Sequence, residues 1–351
     1  MFPNIIKSIV KNKLGVLQRP SFVTFFVTWR CNAKCVMCDV WQKRQGESEL
    51  SLKEIKDVFN QIKKIDAIRI SGGEPFLRQD IADIINIIEE VSNPSVYHIT
   101  TNGFLTEKII SDIKKIKPIK KVHIKVSIDS VGERHDIVRG IKGAYDMAMK
   151  TVSELSKLRK DLGFYLGVNQ TIIDKESMES YFKLSEELKK FKVSVHPVFA
   201  YTNTTALYSG NNIKTNPKFK PFGNFKKEEL LQFIKKLTRD AGLFSDIKES
   251  VIKKYYLKGI LNRVVFGKES PNPKCMALKS HLRILPNGDI PICLYNSNIA
   301  GNLKKDKFED IWFGENIEKC REWVKKCPGC WAGCESVVSA IYTGDIVRGV
   351  L

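Results

Sequence analysis

The sequence predicts an α/β fold. Six short runs rich in β-branched and aromatic residues recur between residues 21 and 199, and lysine-rich stretches of helical period separate them. Strands alternating with helices pair in parallel, because a parallel neighbour needs a crossover connection, so an open or closed α/β barrel follows. A third observation concerns metal: nine cysteines fall into two groups, Cys31, Cys35 and Cys38, then Cys275, Cys293, Cys320, Cys327, Cys330 and Cys334, with none between. An odd total and short internal spacings argue against a disulfide framework and for metal ligation.

Residues 1–21 form a basic amphipathic segment. The first twenty carry four basic residues and no acid, with Phe2, Ile5, Ile6, Ile9 and Val10 on one helical face and Lys7 and Lys11 opposite. Two readings stay open: a helix lying on a membrane surface, and a helix docked on the protein's own body. The barrel follows over residues 22–198, with strands predicted at SFVTFFV, DAIRI, SVYHIT, KVHIKVSID, FYLGVNQTII and KVSVHPVF. Stretches such as SLKEIKDVFNQIKKI and DIADIINIIEEV supply the covering helices. Residues 199–225 break the rhythm with aromatics, Asn, Thr, Gly and Pro but no acid, which predicts a functional loop or a linker. A helical segment completes the region 199–274, and residues 275–351 form a compact cysteine-rich module of a size that a metal can stabilise.

With 351 residues and 43% hydrophobic composition the chain has ample material for a packed core. No run of about 18 apolar residues and no secretory signal stands out, so the expected location is cytoplasmic. The formal charge of +19 suits an anionic substrate, an anionic lipid surface or nucleic acid, but the lysines are scattered over nearly every predicted helix, as on an ordinary solvated surface. Charge alone names no partner.

The segment TWRCNAKCVMCDVW places Cys31, Cys35 and Cys38 in the spacing C-x-x-x-C-x-x-C directly after the first predicted strand. In a four-iron cluster each iron normally takes one protein thiolate, so three ligands leave one iron able to bind a substrate or cofactor through nitrogen and oxygen. A zinc knuckle or ferredoxin-like site wants a fourth nearby ligand, and no Cys or His occurs between Cys38 and His98.

These residues resemble the radical S-adenosylmethionine (SAM) superfamily, whose three-cysteine loop has this spacing and whose open iron is chelated by the amino and carboxylate groups of SAM. Ser71-Gly72-Gly73-Glu74-Pro75 after the second strand resembles the family's GGEP motif, which implies contact with the SAM amino group. Thr101-Asn102-Gly103 follows the third strand, and Ser127-Ile128-Asp129-Ser130 ends the fourth, with His135-Asp136 and Arg139 behind it. By the same resemblance Asn102, Ser127, Asp129 and Arg139 face the cofactor, the last three at its ribose and carboxylate. All these motifs lie at carboxyl ends of predicted strands, the face where α/β barrels build active sites. The position before the third cysteine, usually aromatic in the family, is Met37, whose flexible thioether suits packing against adenine. The fold implied is a partial (β/α)6 TIM-type barrel.

The C-terminal pattern resembles the SPASM and Twitch auxiliary-cluster domains of the same superfamily. Cys275 and Cys293 flank LRILPNGDIPICL, read as a hairpin around a Pro-Asn-Gly-Asp turn, and Cys327, Cys330 and Cys334 follow. Six thiolates favour one complete auxiliary 4Fe-4S cluster, held by Cys275, Cys293 and two of Cys327, Cys330 and Cys334, with Cys320 a buried thiol or a ligand to a second, open cluster. Twitch fits better than full SPASM. A structural zinc ribbon remains open on spacing alone.

The resemblance implies a radical SAM enzyme that cleaves SAM reductively to a 5′-deoxyadenosyl radical, served by a reducing partner such as a flavodoxin or ferredoxin. The substrate class stays open among small molecules, lipid-linked groups, sugars or nucleotides, and peptides. The absence of an adjacent peptide-recognition domain weighs against peptide maturation, and an anionic substrate fits the charge. His196 and Tyr201 are eligible proton-transfer groups. Nucleic acid is not an expected partner on this reading. The contrasting reading is a non-catalytic metal-binding protein with a zinc ribbon and a basic nucleic-acid surface, which predicts colourless protein and steep salt dependence.

Overall fold

The computed structural model describes residues 2–43, 46, 48–200, 207, 223, 225–240 and 247–348. Helix α1 (Phe2–Lys13) precedes strand β1 (Phe22–Thr28), and the units then repeat: α2 (Val40–Lys43), α3 (Leu52–Ile62), β2 (Ala67–Gly72), α4 (Ile81–Ser92), β3 (Val96–Thr101), α5 (Thr106–Lys115), β4 (Val122–Ser127), α6 (Glu133–Arg139), α7 (Ala144–Leu162), β5 (Tyr165–Ile172), α8 (Lys175–Lys189) and β6 (Ser194–Phe199). Beyond these lie α9 (Lys227–Asp240), α10 (Ile247–Val264), β7 (His281–Ile284), β8 (Asp289–Cys293), β9 (Asn296–Asn302), α11 (Phe308–Trp312), α12 (Glu315–Lys326), α13 (Gly333–Thr343) and α14 (Asp345–Arg348). Local chemistry sets several ends. Ser51 and Glu54 form a reciprocal capping box that starts α3, Asp174 and Ser177 do the same for α8, and Gly163 closes α7 at φ 78°.

Among the described residues seven strands make one sheet in the order β6-β5-β4-β3-β2-β1-β7, every neighbouring pair parallel. The six strands read from the sequence are all present. The seventh modifies the predicted hairpin: β7 lies beside β1 in the barrel sheet, with Phe22 opposite His281 and Phe25 opposite Ile284, and the antiparallel hairpin is β8 with β9. All four β7 residues are buried, as a parallel strand covered on both faces requires, whereas an edge hairpin strand would leave one face wet.

The sheet has two unlike faces. Ile68, Ile70, Tyr97, Ile99, Ile124 and Val126 join Ile84, Ile85, Ile109, Ile113 and Val152 of the helices in one apolar core. The alternate residues face the concave side, and on β4 these are His123, Lys125 and Ser127, all partly exposed. Helix α1 docks on the body: the Asn12 amide donates to Ser280 Oγ and the Tyr342 carbonyl, both at 2.9 Å, and Ser8 Oγ lies 3.0 Å from Ser21 Oγ. Its predicted apolar face is divided, with Ile5 and Ile9 half-buried and Ile6 and Val10 exposed. Most of residues 199–225, including Tyr201, lie outside the described residues. Among the described residues no helix is long and apolar enough to cross a membrane.

Candidate active site

The cysteine loop leaves the carboxyl end of β1. Trp29, fully buried on Phe26 with ring centroids 5.1 Å apart, pins its start. Lys34 N–H donates to the Arg139 carbonyl and Val36 N–H to that of Val138, so the loop runs along the end of α6. Cys31, Cys35 and Cys38 sit close enough to affect one another electrostatically. Burial pushes the Cys31 thiol up to about 12 and the Cys38 thiol up to about 11, although the Ala33 and Val40 N–H groups pull the other way. Burial raises Cys35 as well, opposed by the Arg139 guanidinium, whose Nη1 lies 3.6 Å from its Sγ. Iron would displace these protons, and the aimed N–H groups and Arg139 suit bound thiolates. Met37 is half-buried in an apolar cluster with Ala33, Phe104 and Ala144.

The glycines after β2 follow from a close backbone approach. A Cβ on Gly73 would lie 2.2 Å from the Arg30 carbonyl oxygen, and one on Gly72 would lie 2.2 Å from that of Thr28. Gly73 N–H donates to the Thr28 carbonyl and Glu74 N–H to that of Arg30, each at 2.8 Å, so this segment is laid against the entry to Cys31. The Glu74 side chain, buried, accepts from Thr101 Oγ1 at 2.8 Å, Phe76 N–H at 3.1 Å and Asn102 N–H at 2.7 Å. Those bonds use most of its acceptor capacity and tie β2 to β3. Burial outweighs them and pushes its carboxyl up to about 7.

Asn102 donates from Nδ2 to Asn32 Oδ1 at 2.7 Å, which ties the end of β3 to the cysteine loop. Ser127 ends β4 on the concave face, half-buried. The Asp129 carboxylate is buried: Oδ2 lies 2.7 Å from Arg139 Nε, and Oδ1 accepts from Thr171 N–H at 2.9 Å. His135 Nδ1 accepts from Asp129 N–H at 2.9 Å, and burial together with Arg139 holds this imidazole down at about 4. A neutral ring therefore buttresses the turn. The structure thus brings Gly72, Gly73, Glu74, Asn102, Asp129 and Arg139 to the cysteine loop, with Ser127 at the carboxyl end of β4.

A second group gathers in the C-terminal module. Cys275, Cys293, Cys327 and Cys330 line one pocket with Trp323 and Glu335. Cys334, in the first turn of α13, lies beside that pocket, within electrostatic reach of Glu335, Arg69 and Arg283. Cys320, on α12, feels burial and Arg321 and no other cysteine. Burial alone would raise Glu335, but its ion pair with Arg283 overrides that and brings the carboxyl down to about 2. Among the described residues no three His, Cys, Asp or Glu side chains converge tightly enough to hold a single metal ion. A four-iron cluster, with one thiolate per iron, needs a wider ring of sulfurs.

Of the polar lining below these motifs, sequence reasoning named His196 and missed its partners Tyr165 and Glu249. His196 Nε2 lies 2.8 Å from Glu249 Oε1, and Tyr165 Oη lies 2.9 Å from both. Gly167 makes room for this triad, since a Cβ there would stand 3.1 Å from His196 Nε2. Burial and Lys125 hold His196 down at about 4, while hydrogen bonding to His196 and the charge of Lys125 more than offset the burial of Glu249 and leave it at about 2. Glu249 lies outside every motif, and only the fold brings it to the barrel.

Comparison with known proteins gives two family matches, the radical SAM superfamily over residues 26–184 and an iron–sulfur cluster-binding domain, SPASM, over residues 275–334. Fe-coproporphyrin III synthase of Methanosarcina barkeri is 31% identical over 170 residues, 48% of this chain and 41% of its own length. AdoMet-dependent heme synthase of the same organism is 25% identical over 344 residues, 91% of this chain and 93% of that one. GTP 3′,8-cyclase of Mannheimia succiniciproducens is 30% identical over 175 residues, 45% of this chain and 51% of that one. The chain therefore matches about half or less of the first and third relatives and nearly all of the second. Streptococcus suis SuiB bound to S-adenosylmethionine has a TM-score of 0.60 at 18% identity, covering 87% of this chain and 68% of that one. The anSMEcpe structure with bound AdoMet has a TM-score of 0.57 at 16% identity, covering 94% and 96%. These two likenesses establish the partial-barrel fold. The chain carries a radical SAM superfamily domain and, after it, a SPASM-type iron–sulfur cluster-binding domain.

Proposed function

We propose that this chain uses Cys31, Cys35 and Cys38 to hold a 4Fe-4S cluster and binds SAM across Gly72, Gly73, Glu74, Asn102, Ser127, Asp129 and Arg139, with Met37 against the adenine. With both groups bound and one electron supplied, SAM is cleaved to methionine and a 5′-deoxyadenosyl radical, which removes hydrogen from a substrate. The observation that carries the reading is the laying of the Gly72–Glu74 segment directly on the entry to the cysteine loop. Arg139 stands beside Cys35 and holds Asp129. An auxiliary 4Fe-4S cluster belongs in the pocket of Cys275, Cys293, Cys327 and Cys330, with Cys334 beside it, where it would pass electrons or touch substrate. A small acidic reductant such as a flavodoxin or ferredoxin suits the basic surface.

The substrate is anionic on this reading and occupies the concave side of the sheet. Support comes from the cationic lining there, and from relatives named for heme, Fe-coproporphyrin III and GTP, molecules that carry carboxylates or phosphates. An iron porphyrin carboxylate is the first to try, because the heme synthase aligns over nearly its whole length. The exposed side of α1, with Ile6 and Val10 beside Lys7, fits contact with an anionic membrane surface.

The test is anaerobic purification, reconstitution with iron and sulfide, and measurement of iron and of 5′-deoxyadenosine formed from SAM after reduction. About eight irons per chain are expected from two four-iron clusters. Product formation should vanish in a Cys31→Ala, Cys35→Ala, Cys38→Ala triple variant. Equal formation in that variant, or bound zinc in place of iron, overturns the reading.

A further inference from the structure

Four of the five histidines of the chain lie on barrel strands, and three of them, His98, His123 and His196, share the concave face with Arg69, Lys125 and Tyr165. The register explains their convergence. Arg69 pairs with His98, His98 with His123, and His123 with Tyr165, so one residue from each of four adjacent strands falls in a single row. The rings touch along it: His98 and His123 centroids lie 5.2 Å apart, and those of His123 and Tyr165 lie 4.9 Å apart. Arg69 rests over the Phe22 ring, its Cζ 5.2 Å from the centroid.

Lys125 stands two residues beyond this row on the same face of β4 and two residues before Ser127, roughly 7 Å along the strand in that direction. Its ammonium makes no hydrogen bond or ion pair with a described residue, and the nearby carboxylate, Glu249, is already engaged by His196 and Tyr165. Burial pulls Lys125 down to about 8, Arg69 adds to the effect and Glu249 opposes it, so the group remains mostly charged at neutral pH. A half-buried ammonium with three donors and no acceptor among the described residues is free to take one from a ligand.

We infer that Lys125, with Arg69, His98 and His123 around it, forms a subsite in the barrel for an anionic oxygen group of the substrate, a carboxylate or a phosphate. The inference rests on the reading of the concave face as the substrate chamber. Its placement below Ser127 would hold the charged end of the substrate away from the SAM side of the barrel, with the carbon to be attacked between the two. The row of histidines supplies further N–H donors at no net charge, and Arg69 supplies a second cation beneath.

The test is calorimetric titration of the cluster-loaded, SAM-bound enzyme with inorganic pyrophosphate and, separately, with tricarballylate. Saturable binding of at least one is expected, weakened about tenfold or more in Lys125→Met, the loss of one charge-assisted hydrogen bond, while SAM affinity is unchanged. Binding of pyrophosphate alone assigns a phosphate, and of tricarballylate alone a carboxylate. Binding of neither, or equal affinity in Lys125→Met, overturns the subsite. Where that variant loses SAM affinity, and so has a damaged barrel, the wild-type protein decides. After 13C-methylation of its lysines, a resonance titrating near pH 8 must shift when the anion is added, and an unmoved resonance overturns the proposal. Failure of the functional reading looks different: the anion binds, yet no 5′-deoxyadenosine forms.

Discussion

Gly73 has no room for a side chain, because three backbone atoms of Trp29 and Arg30 lie within 2.7 Å of where a Cβ would stand. Gly73→Ala must push the cysteine loop outward, at a cost of about 2 kcal/mol by analogy with overpacked cores. The expected outcome is a lower urea midpoint and less iron retained per chain, and wild-type values of both would show that the contact is slack. Glu74 marks where reading from sequence stops at this scale. Its place after a strand and two glycines was legible, but its hydrogen-bond partners Thr101 and Asn102 come from the next strand, and nothing in the local motif reveals how much of its acceptor capacity they take. Asp129 is similar: spacing located it at a strand end, while its pairing with Arg139 depends on how α6 folds back.

Strands β1 to β6 were legible because each is a β-branched run between helical stretches. Strand β7 was read as a hairpin strand and not as a barrel strand, since His281, Leu282, Arg283 and Ile284 alternate polar with apolar and the adjoining turn at Gly288 suggested a hairpin partner, whereas in the fold all four are buried. The cationic row on the concave face escaped notice for a related reason. Each strand contributes a residue or two, and Arg69, His98 and Lys125 between apolar neighbours look like the solvated face of an ordinary sheet. Helix α1 carries its own prediction. The protein should float with phosphatidylserine vesicles, and an Ile6→Ser, Val10→Ser variant should not, since both side chains point outward and leave the docking contacts of Ser8 and Asn12 intact. Absence of flotation in the wild type removes the membrane role.

Across the whole molecule, burial holds all five histidines below their ordinary value, His135 and His196 at about 4 and His281 at about 3. The sign follows from linkage: below about 6.5 an unfolded chain binds protons that the folded one refuses until much lower pH, so stability is full above 6.5 and falls as pH drops toward 4. The fully buried His135 and His281 should each remove roughly 2 kcal/mol at about pH 5. Glu74, raised to about 7, works in the opposite direction, so urea midpoints of Glu74→Gln at about pH 7.5 and about pH 5 test this, and equal midpoints would mean the rings are protonated in the fold. The pairing of residues 22–25 with residues 281–284 has a consequence for how the chain is made. Strand β1, which leads into the cysteine loop, leaves the ribosome well before β7, one of its two sheet neighbours, has been made. Such a contact is strongly non-local, and closing it late slows folding and leaves a hydrophobic strand edge open in the meantime. Translation order therefore leaves the sheet around the cysteine loop incomplete until β7 has been made.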